Sequence, residues 1–134
     1  MDIEKLIIAG AGPAGVSAAL YAARSGIRPL VLHKGGSALE KASKIENYYG
    51  LPKPLSGQEL YENGLAQLQA LEIPVIREEL LSVEYDGDYT LHTPEQTYHS
   101  HALILATGTK RNILALRELK KYEGSGISYC AICD

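Results

Sequence analysis

Tryptophan and phenylalanine are absent from this chain of 134 residues, and methionine occurs once. Its core must therefore rest on aliphatic side chains and on the rings of nine tyrosines. Cysteine is scarce as well, with Cys130 and Cys133 the two present. A small secreted domain stapled by disulfides carries more of them, at wider spacing, so that class is excluded. No apolar run approaches the roughly 20 residues needed to span a bilayer. Neither sign of charge dominates. Thirteen Lys and Arg stand against sixteen Asp and Glu, for a net charge of -3. No basic surface for nucleic acid or an anionic membrane is expected from that balance. The opening Met1-Asp2-Ile3-Glu4-Lys5 lacks the basic region and cleavage site of a secretory signal, so the expected location is the cytoplasm. Internal repeats and low-complexity tracts are also lacking. What remains is the composition of a globular protein, 46% apolar and 22% charged, at a length that suits one domain.

The apolar residues are grouped in a way that predicts an α/β architecture. Ile3 to Ala9 reads as a buried strand, because Leu6-Ile7-Ile8-Ala9 is continuously apolar, as in parallel sheets covered on both faces. A glycine turn follows at Gly10 to Gly12. Pro13 to Ser25 reads as a helix with proline in its first turn, an alanine-rich body and Gly26 as its C-terminal cap. Pro29 to His33 gives a second strand, which completes a right-handed βαβ unit. Gly35 to Pro54 is polar and expected to be irregular. Ser56 to Leu71 reads as an amphipathic helix opened by a Ser56/Glu59 capping box. Pro74 to Ile76 is a third short strand. Leu80 to Tyr85, Tyr89 to Thr93 and Thr97 to His101 alternate in character and predict an antiparallel meander. Ala102 to Ala106 is again unbroken and should rejoin the parallel sheet. Arg111 to Gly124 reads as a connector with a short helical stretch and a boundary near residues 112–120.

Four groups of residues carry chemistry. Gly10-Ala11-Gly12-Pro13-Ala14-Gly15 is a G-x-G-x-x-G sequence between a strand and a helix, the context of a Rossmann-like dinucleotide turn. Gly10 permits the turn, Gly12 lets the backbone approach a pyrophosphate, and Gly15 lets the helix pack on the strand. The helix N-terminus offers N–H groups and a positive dipole end to the phosphates. At the end of the second strand, such folds often place an acid for a ribose hydroxyl; here stand His33 and Lys34. His33 can hydrogen-bond a ribose, Lys34 can meet a 2′-phosphate of NADP, or the pair is a solvated strand end. Ala106-Thr107-Gly108 closes a buried strand, at the edge where open parallel sheets bind ligands. Cys130-Ala131-Ile132-Cys133-Asp134 pairs two thiols at the spacing of a disulfide-exchange motif, with Asp134 placed to move a proton. Two buried thiols are the plainer alternative. A metal site would need further ligands, and His92, His99 and His101 fit no zinc signature, so no metal is expected.

Taken in order, GAGPAG at Gly10 to Gly15, ENYYG at Glu46 to Gly50, ATG at Ala106 to Gly108 and CAICD at Cys130 to Asp134 resemble the low-molecular-weight thioredoxin reductase family across essentially the whole chain. The resemblance implies a Rossmann-like FAD-binding fold. It places Gly35 and Gly36 near a flavin-contacting stretch, in which Ser37 replaces the family's usual Gln, and it gives Asn47 a flavin contact. It implies residues 1–115 as the first segment of the FAD domain. Residues 116–134 become a linker and the beginning of an inserted pyridine-nucleotide domain. That domain's own glycine motif and the returning FAD segment are not in this chain, which is expected to be a portion of a longer protein or a truncated one. The implied reaction passes electrons from NAD(P)H through FAD to the CxxC pair and then to a thioredoxin-like protein disulfide. Cys133 would face the flavin, Cys130 would attack the partner and Asp134 would serve as the acid–base residue. A homodimer is implied for the parent protein, with neither nucleic acid nor membrane as partner. Two other functions stay open on the residues alone: a non-catalytic dinucleotide-binding fragment, and an NADP-dependent Rossmann oxidoreductase.

Overall fold

The computed structural model of the chain describes residues 2–110 and 115–129. Four parallel strands form its centre: β1 (Ile7–Ala9), β2 (Leu30–Leu32), β3 (Val75–Ile76) and β7 (Leu103–Leu105), in the order β3-β2-β1-β7. Ile7 lies opposite Leu30 on one side and Leu103 on the other. β1 is thus an inner strand, with both ladders satisfied, and Ile7, Ile8 and Val31 are fully buried. β4 (Ser82–Asp86), β5 (Asp88–His92) and β6 (Thr97–Ser100) form a separate antiparallel sheet.

The continuous apolar runs are explained by what covers each face. Side chains alternate along a strand. Ile8 and Val31 point to one side and pack with Val16 and Ala19 of α1 (Pro13–Arg24) and Leu68 of α2 (Gly57–Ala70). Ile7, Leu30 and Leu32 point to the other and pack with Leu91, Tyr89 and Tyr98 of the antiparallel sheet. The result is helices, parallel sheet and meander in three layers. Tyrosines take the places that phenylalanine would fill, and the Tyr98 hydroxyl finds a partner in Glu78 at 3.0 Å.

Both long helices end in a Schellman motif. After α1, Gly26 adopts φ +79, its N–H donates to Ala23, and Ile27 donates to Ala22. After α2 the same pair of bonds runs from Glu72 to Gln69 and from Ile73 to Leu68, but with Glu72, a non-glycine, at φ +54. The α2 N-terminus carries the expected capping box. Ser56 Oγ accepts from the Glu59 N–H at 3.1 Å, and Glu59 Oε2 accepts from the Ser56 N–H at 2.9 Å.

Several boundaries differ from the sequence reading. Ile3 to Lys5 does not extend β1 in the parallel sheet. The Glu4 N–H donates instead to the His99 carbonyl and the Glu4 carbonyl accepts from His101, so Glu4 bridges to Ser100 at the end of β6. The segment expected to be irregular contains a 3-10 turn at Ala38–Lys41, capped by Ser37 Oγ accepting from the Leu39 N–H at 3.2 Å. It also holds a bridge between Ile45 and Leu55. The helical stretch of the connector is α3 (Leu119–Tyr122). No helix among the described residues is long and apolar enough to cross a membrane.

Candidate functional site

The glycine turn sits where the C-terminal ends of β2, β1 and β7 meet. The Gly10 N–H donates to the Leu32 carbonyl at 2.7 Å, and the Ala106 N–H donates to the Ala9 carbonyl at 2.8 Å. Gly10 has φ +119, and a Cβ there would lie 2.0 Å from the Ala106 carbonyl oxygen. No side chain fits in that approach. Five residues on, a Cβ at Gly15 would lie 1.9 Å from the Gly10 carbonyl oxygen and 3.6 Å from the Ala106 Cβ. These two glycines therefore let α1 and β7 close on the end of β1. Gly12 differs: its φ is −76, and the nearest atom to a Cβ would be Ser37 Oγ at 3.4 Å. Its missing side chain leaves space on the side that faces Ser37.

The α1 N-terminus is left bare. Gly12 supplies no side-chain cap, Pro13 occupies the first turn, and no acid lies within it. Pro13 and Ala14 are exposed. An anion fits here, since a twelve-residue helix presents its dipole and first-turn N–H groups with no protein carboxylate in competition. Beside this terminus lies a cleft of about 850 Å³, a size suited to a cofactor. Pro13, Ser37, Glu46, Asn47, Ile127 and Tyr129 are among the residues that line it. A smaller, more apolar recess of about 220 Å³ continues between α1 and α2, bounded by Val16, Leu20, Tyr48 and Tyr61.

The other expected site residues are distributed around this centre. His33, Lys34, Gly35 and Gly36 leave the end of β2, with Gly35 at φ +97 and Gly36 at φ +73. Burial, and then the Arg77 charge, hold the His33 imidazole below its ordinary value of 6.5. Its Nδ1 is buried without a hydrogen-bond partner among the described residues. Asn47 is exposed on the cleft next to Glu46, which is paired with Lys44. Ala106 is drawn into the turn, whereas Thr107 and Gly108 extend past β7 and are exposed. Cys130, Cys133 and Asp134 lie outside the described residues, although Tyr129, which precedes Cys130 in the chain, lines the cleft. Of the nominated histidines, His101 contacts Asp88 at 2.7 Å and His99 contacts Thr90 at 3.3 Å.

Sequence reasoning missed two members of this neighbourhood. Tyr61 of α2 has its hydroxyl hydrogen-bonded by the Gly36 backbone, and burial, with the Glu40 charge, raises its pKa. Arg77 reaches across from the end of β3 to cover Gly35. The signal that would have found Arg77 is its place one residue past a strand that pairs with β2.

Comparison with known proteins places this arrangement. Residues 4–134 match the profile of the pyridine nucleotide-disulphide oxidoreductases. Thioredoxin reductase of Buchnera aphidicola (subspecies Baizongia pistaciae) is 38% identical over 139 residues, covering 100% of this chain and 42% of that protein. Thioredoxin reductase of Streptomyces coelicolor is 33% identical, covering 99% and 43% respectively. The crystal structure of thioredoxin reductase from Streptococcus pyogenes superposes with a TM-score of 0.87 at 32% identity, over 98% of this chain and 44% of that one. The chain thus spans less than half the length of these relatives. With its glycine turn at the sheet's C-terminal edge and this match along nearly its full length, the chain belongs to the pyridine nucleotide-disulphide oxidoreductase family.

Proposed function

We propose that this chain is the FAD-binding portion of a disulfide reductase that acts on a thioredoxin-like protein. In the whole protein, FAD held at this site would supply the electron relay between NAD(P)H and the Cys130–Cys133 pair. The observation that carries this reading is the bare α1 N-terminus, closed over by the Gly10 and Gly15 contacts and opening on a cleft of about 850 Å³. Gly10, Gly12, Pro13, Ala14 and Gly15 would hold the pyrophosphate through backbone N–H groups and the helix dipole. His33 and Lys34 would meet the adenosine ribose. Gly35, Gly36 and Asn47 would border the flavin, and Ala106, Thr107 and Gly108 would close the far side.

Cys130 attacks the partner's disulfide in this reading, Cys133 faces the flavin, and Asp134 handles the proton. Residues 1–115 are assigned to the first FAD segment, and residues 116–134 to the linker and the start of the pyridine-nucleotide domain. The whole protein is assigned to the cytoplasm as a homodimer, without nucleic-acid or membrane partners. The residue roles and domain bounds rest on the resemblance of GAGPAG, ENYYG, ATG and CAICD to the motifs of the thioredoxin reductase family.

The test is the visible spectrum of the chain after incubation with FAD and desalting. Retained flavin bands are expected. Retention of NADP with no retention of FAD would overturn the flavoprotein reading. With a thioredoxin that lacks its resolving cysteine and whose remaining thiol is pre-activated as a mixed disulfide with thionitrobenzoate, the Cys133→Ser variant should be trapped through Cys130 as a stable mixed disulfide, with release of thionitrobenzoate.

A further inference from the structure

Dinucleotide folds commonly place a carboxylate at the end of β2 to accept hydrogen bonds from a ribose diol. This chain has His33 and Lys34 there, and the sheet register adds a third basic residue. β3 runs parallel beside β2 with Ile76 opposite Leu32, and the His33 N–H donates to the Ile76 carbonyl at 3.1 Å. Arg77 therefore leaves the sheet next to His33. Its guanidinium folds over Gly35, where a Cβ would lie 2.8 Å from Nε and 2.9 Å from Nη2. Gly35 both turns the chain at positive φ and makes room for that fork.

Arg77 takes part in no ion pair among the described residues, and neither does Lys34. Two carboxylates are near this corner: Glu78, next to Arg77 in the chain, is engaged by Thr93, Gln96 and Tyr98, and Glu40 lies beside Gly36. The Glu40 Oε2 lies 3.6 Å from where a Gly36 Cβ would be, and Glu40 pairs with neither cation. His33 is held toward its neutral form, so Arg77 and Lys34 supply the positive charge. Arginine and lysine side chains have donors and no acceptor. They do not replace a carboxylate that accepts from a diol, but they match a phosphate, which the planar guanidinium can grip through two donors at once.

We propose that Arg77 and Lys34 bind a phosphate carried on the adenosine ribose, so that the glycine turn accepts a 2′-phosphorylated adenine nucleotide in competition with FAD. The inference rests on the dinucleotide reading above and deepens it.

The test is calorimetric titration of the full chain with adenosine 2′,5′-bisphosphate and with AMP, each repeated in the presence of an equal concentration of inorganic phosphate. The bisphosphate is expected to bind about tenfold more tightly or better, the scale of one charge-assisted hydrogen bond. Inorganic phosphate should not displace it. Arg77→Ala should reduce the preference to about twofold or less, and Lys34→Gln should reduce it partially. Thermal melts check that each variant is folded.

Equal affinity for the two nucleotides in the unmodified chain overturns the inference. So does a preference that survives both substitutions, or displacement by inorganic phosphate. FAD binding is read separately by flavin fluorescence. A chain that binds FAD and AMP without favouring the 2′-phosphate refutes this inference alone, whereas a chain that binds no nucleotide refutes the dinucleotide reading as well.

Discussion

Two helical glycines, one in the first turn of α1 and one in the middle of α2, should respond to the same substitution with opposite signs. In isolation, Gly→Ala within a helix is favourable by about 1 kcal/mol, because alanine loses less backbone entropy on folding. At Gly64 of α2 the new methyl would meet Val16 at 3.6–3.9 Å, an ordinary contact. Gly64→Ala should therefore stabilise the chain by about 0.5–1 kcal/mol. At Gly15 of α1 the methyl would sit 1.9 Å from the Gly10 carbonyl oxygen. Relief requires a shift of more than an ångström, and Gly10 is anchored by its bond to Leu32. The helix must then move off β1, parting Val16 and Ala19 from Ile8. Overpacking of this kind costs about 1–3 kcal/mol or more and outweighs the propensity gain. A net loss of about 2 kcal/mol, roughly 5–10 °C in melting temperature for a chain of this size, is expected. Urea unfolding followed by circular dichroism would read both variants as midpoint shifts at constant slope. If Gly15→Ala proves as stable as the unmodified chain, or if the two variants shift in the same direction, the close approach of α1 to β1 is wrong.

Three further outcomes follow from local geometry. Glu72→Gly should raise stability by about 1 kcal/mol in the same urea assay, because it relieves a non-glycine residue at positive φ while keeping the Schellman bonds. Ser56→Ala should cost about 1 kcal/mol through the lost cap. It should also alter the acid limb of a stability–pH curve. Hydrogen bonds from the Ser56 backbone and then its side chain lower the Glu59 pKa below 4.5 in the fold. The stabilisation from that carboxylate is therefore complete above pH 4.5 and is lost as pH falls through the folded value. At the alkaline end, desolvation and then the hydrogen bond to Glu78 push Tyr98 up to about 12 from 10.0. The unfolded chain releases this proton first, so stability should decline as pH rises from 10.0 toward about 12. Tyr98→Phe should flatten that limb, and tyrosinate absorbance should show one group fewer titrating late.

The βαβ unit was legible because its signals are local. Unbroken apolar runs mark strands covered on both faces, and Pro13 and Gly26 bracket α1 where each has a backbone reason to stand. The Ser56/Glu59 box is equally local, since both partners lie within one turn. The errors arose where a distant partner decides the outcome. Before β1, Glu4 forms a single bridge with the chain around His99 and His101 and Lys5 lies at a bend, a pairing that no local pattern can announce. The end of α2 carries no glycine signal, because Glu72 accepts the left-handed conformation and the Arg28 side chain donates to its carbonyl at 2.7 Å. The short 3-10 turn at Ala38–Lys41 has too few residues to show a period.

The site divides in the same way. Gly10, Gly12 and Gly15 were readable as a turn, yet their unequal roles emerge only from the structure. Gly10 and Gly15 are fixed by contacts with Ala106 and with each other, while Gly12 is open toward Ser37. Arg77 was invisible because it lies 42 residues from Gly35 and 44 from His33, and only the β2–β3 register brings it there. The Cys130–Cys133 motif is recognised from sequence alone.

The most direct test of the account is FAD affinity in the unmodified chain against Gly12→Asp. Gly12 has φ −76 and an extended ψ, which aspartate adopts freely, and aspartate is a favourable helix cap at this position. The variant should therefore fold at least as stably as the parent. Its carboxylate would stand where the pyrophosphate is proposed to bind. At about 4 Å and an effective dielectric constant near 20, the repulsion is on the order of 4 kcal/mol, so affinity should fall at least about a hundredfold. Saturable FAD binding by the unmodified chain, lost in the stably folded variant, is the predicted result. Equal FAD binding by both, or none by the unmodified chain, would contradict a flavin site at the start of α1.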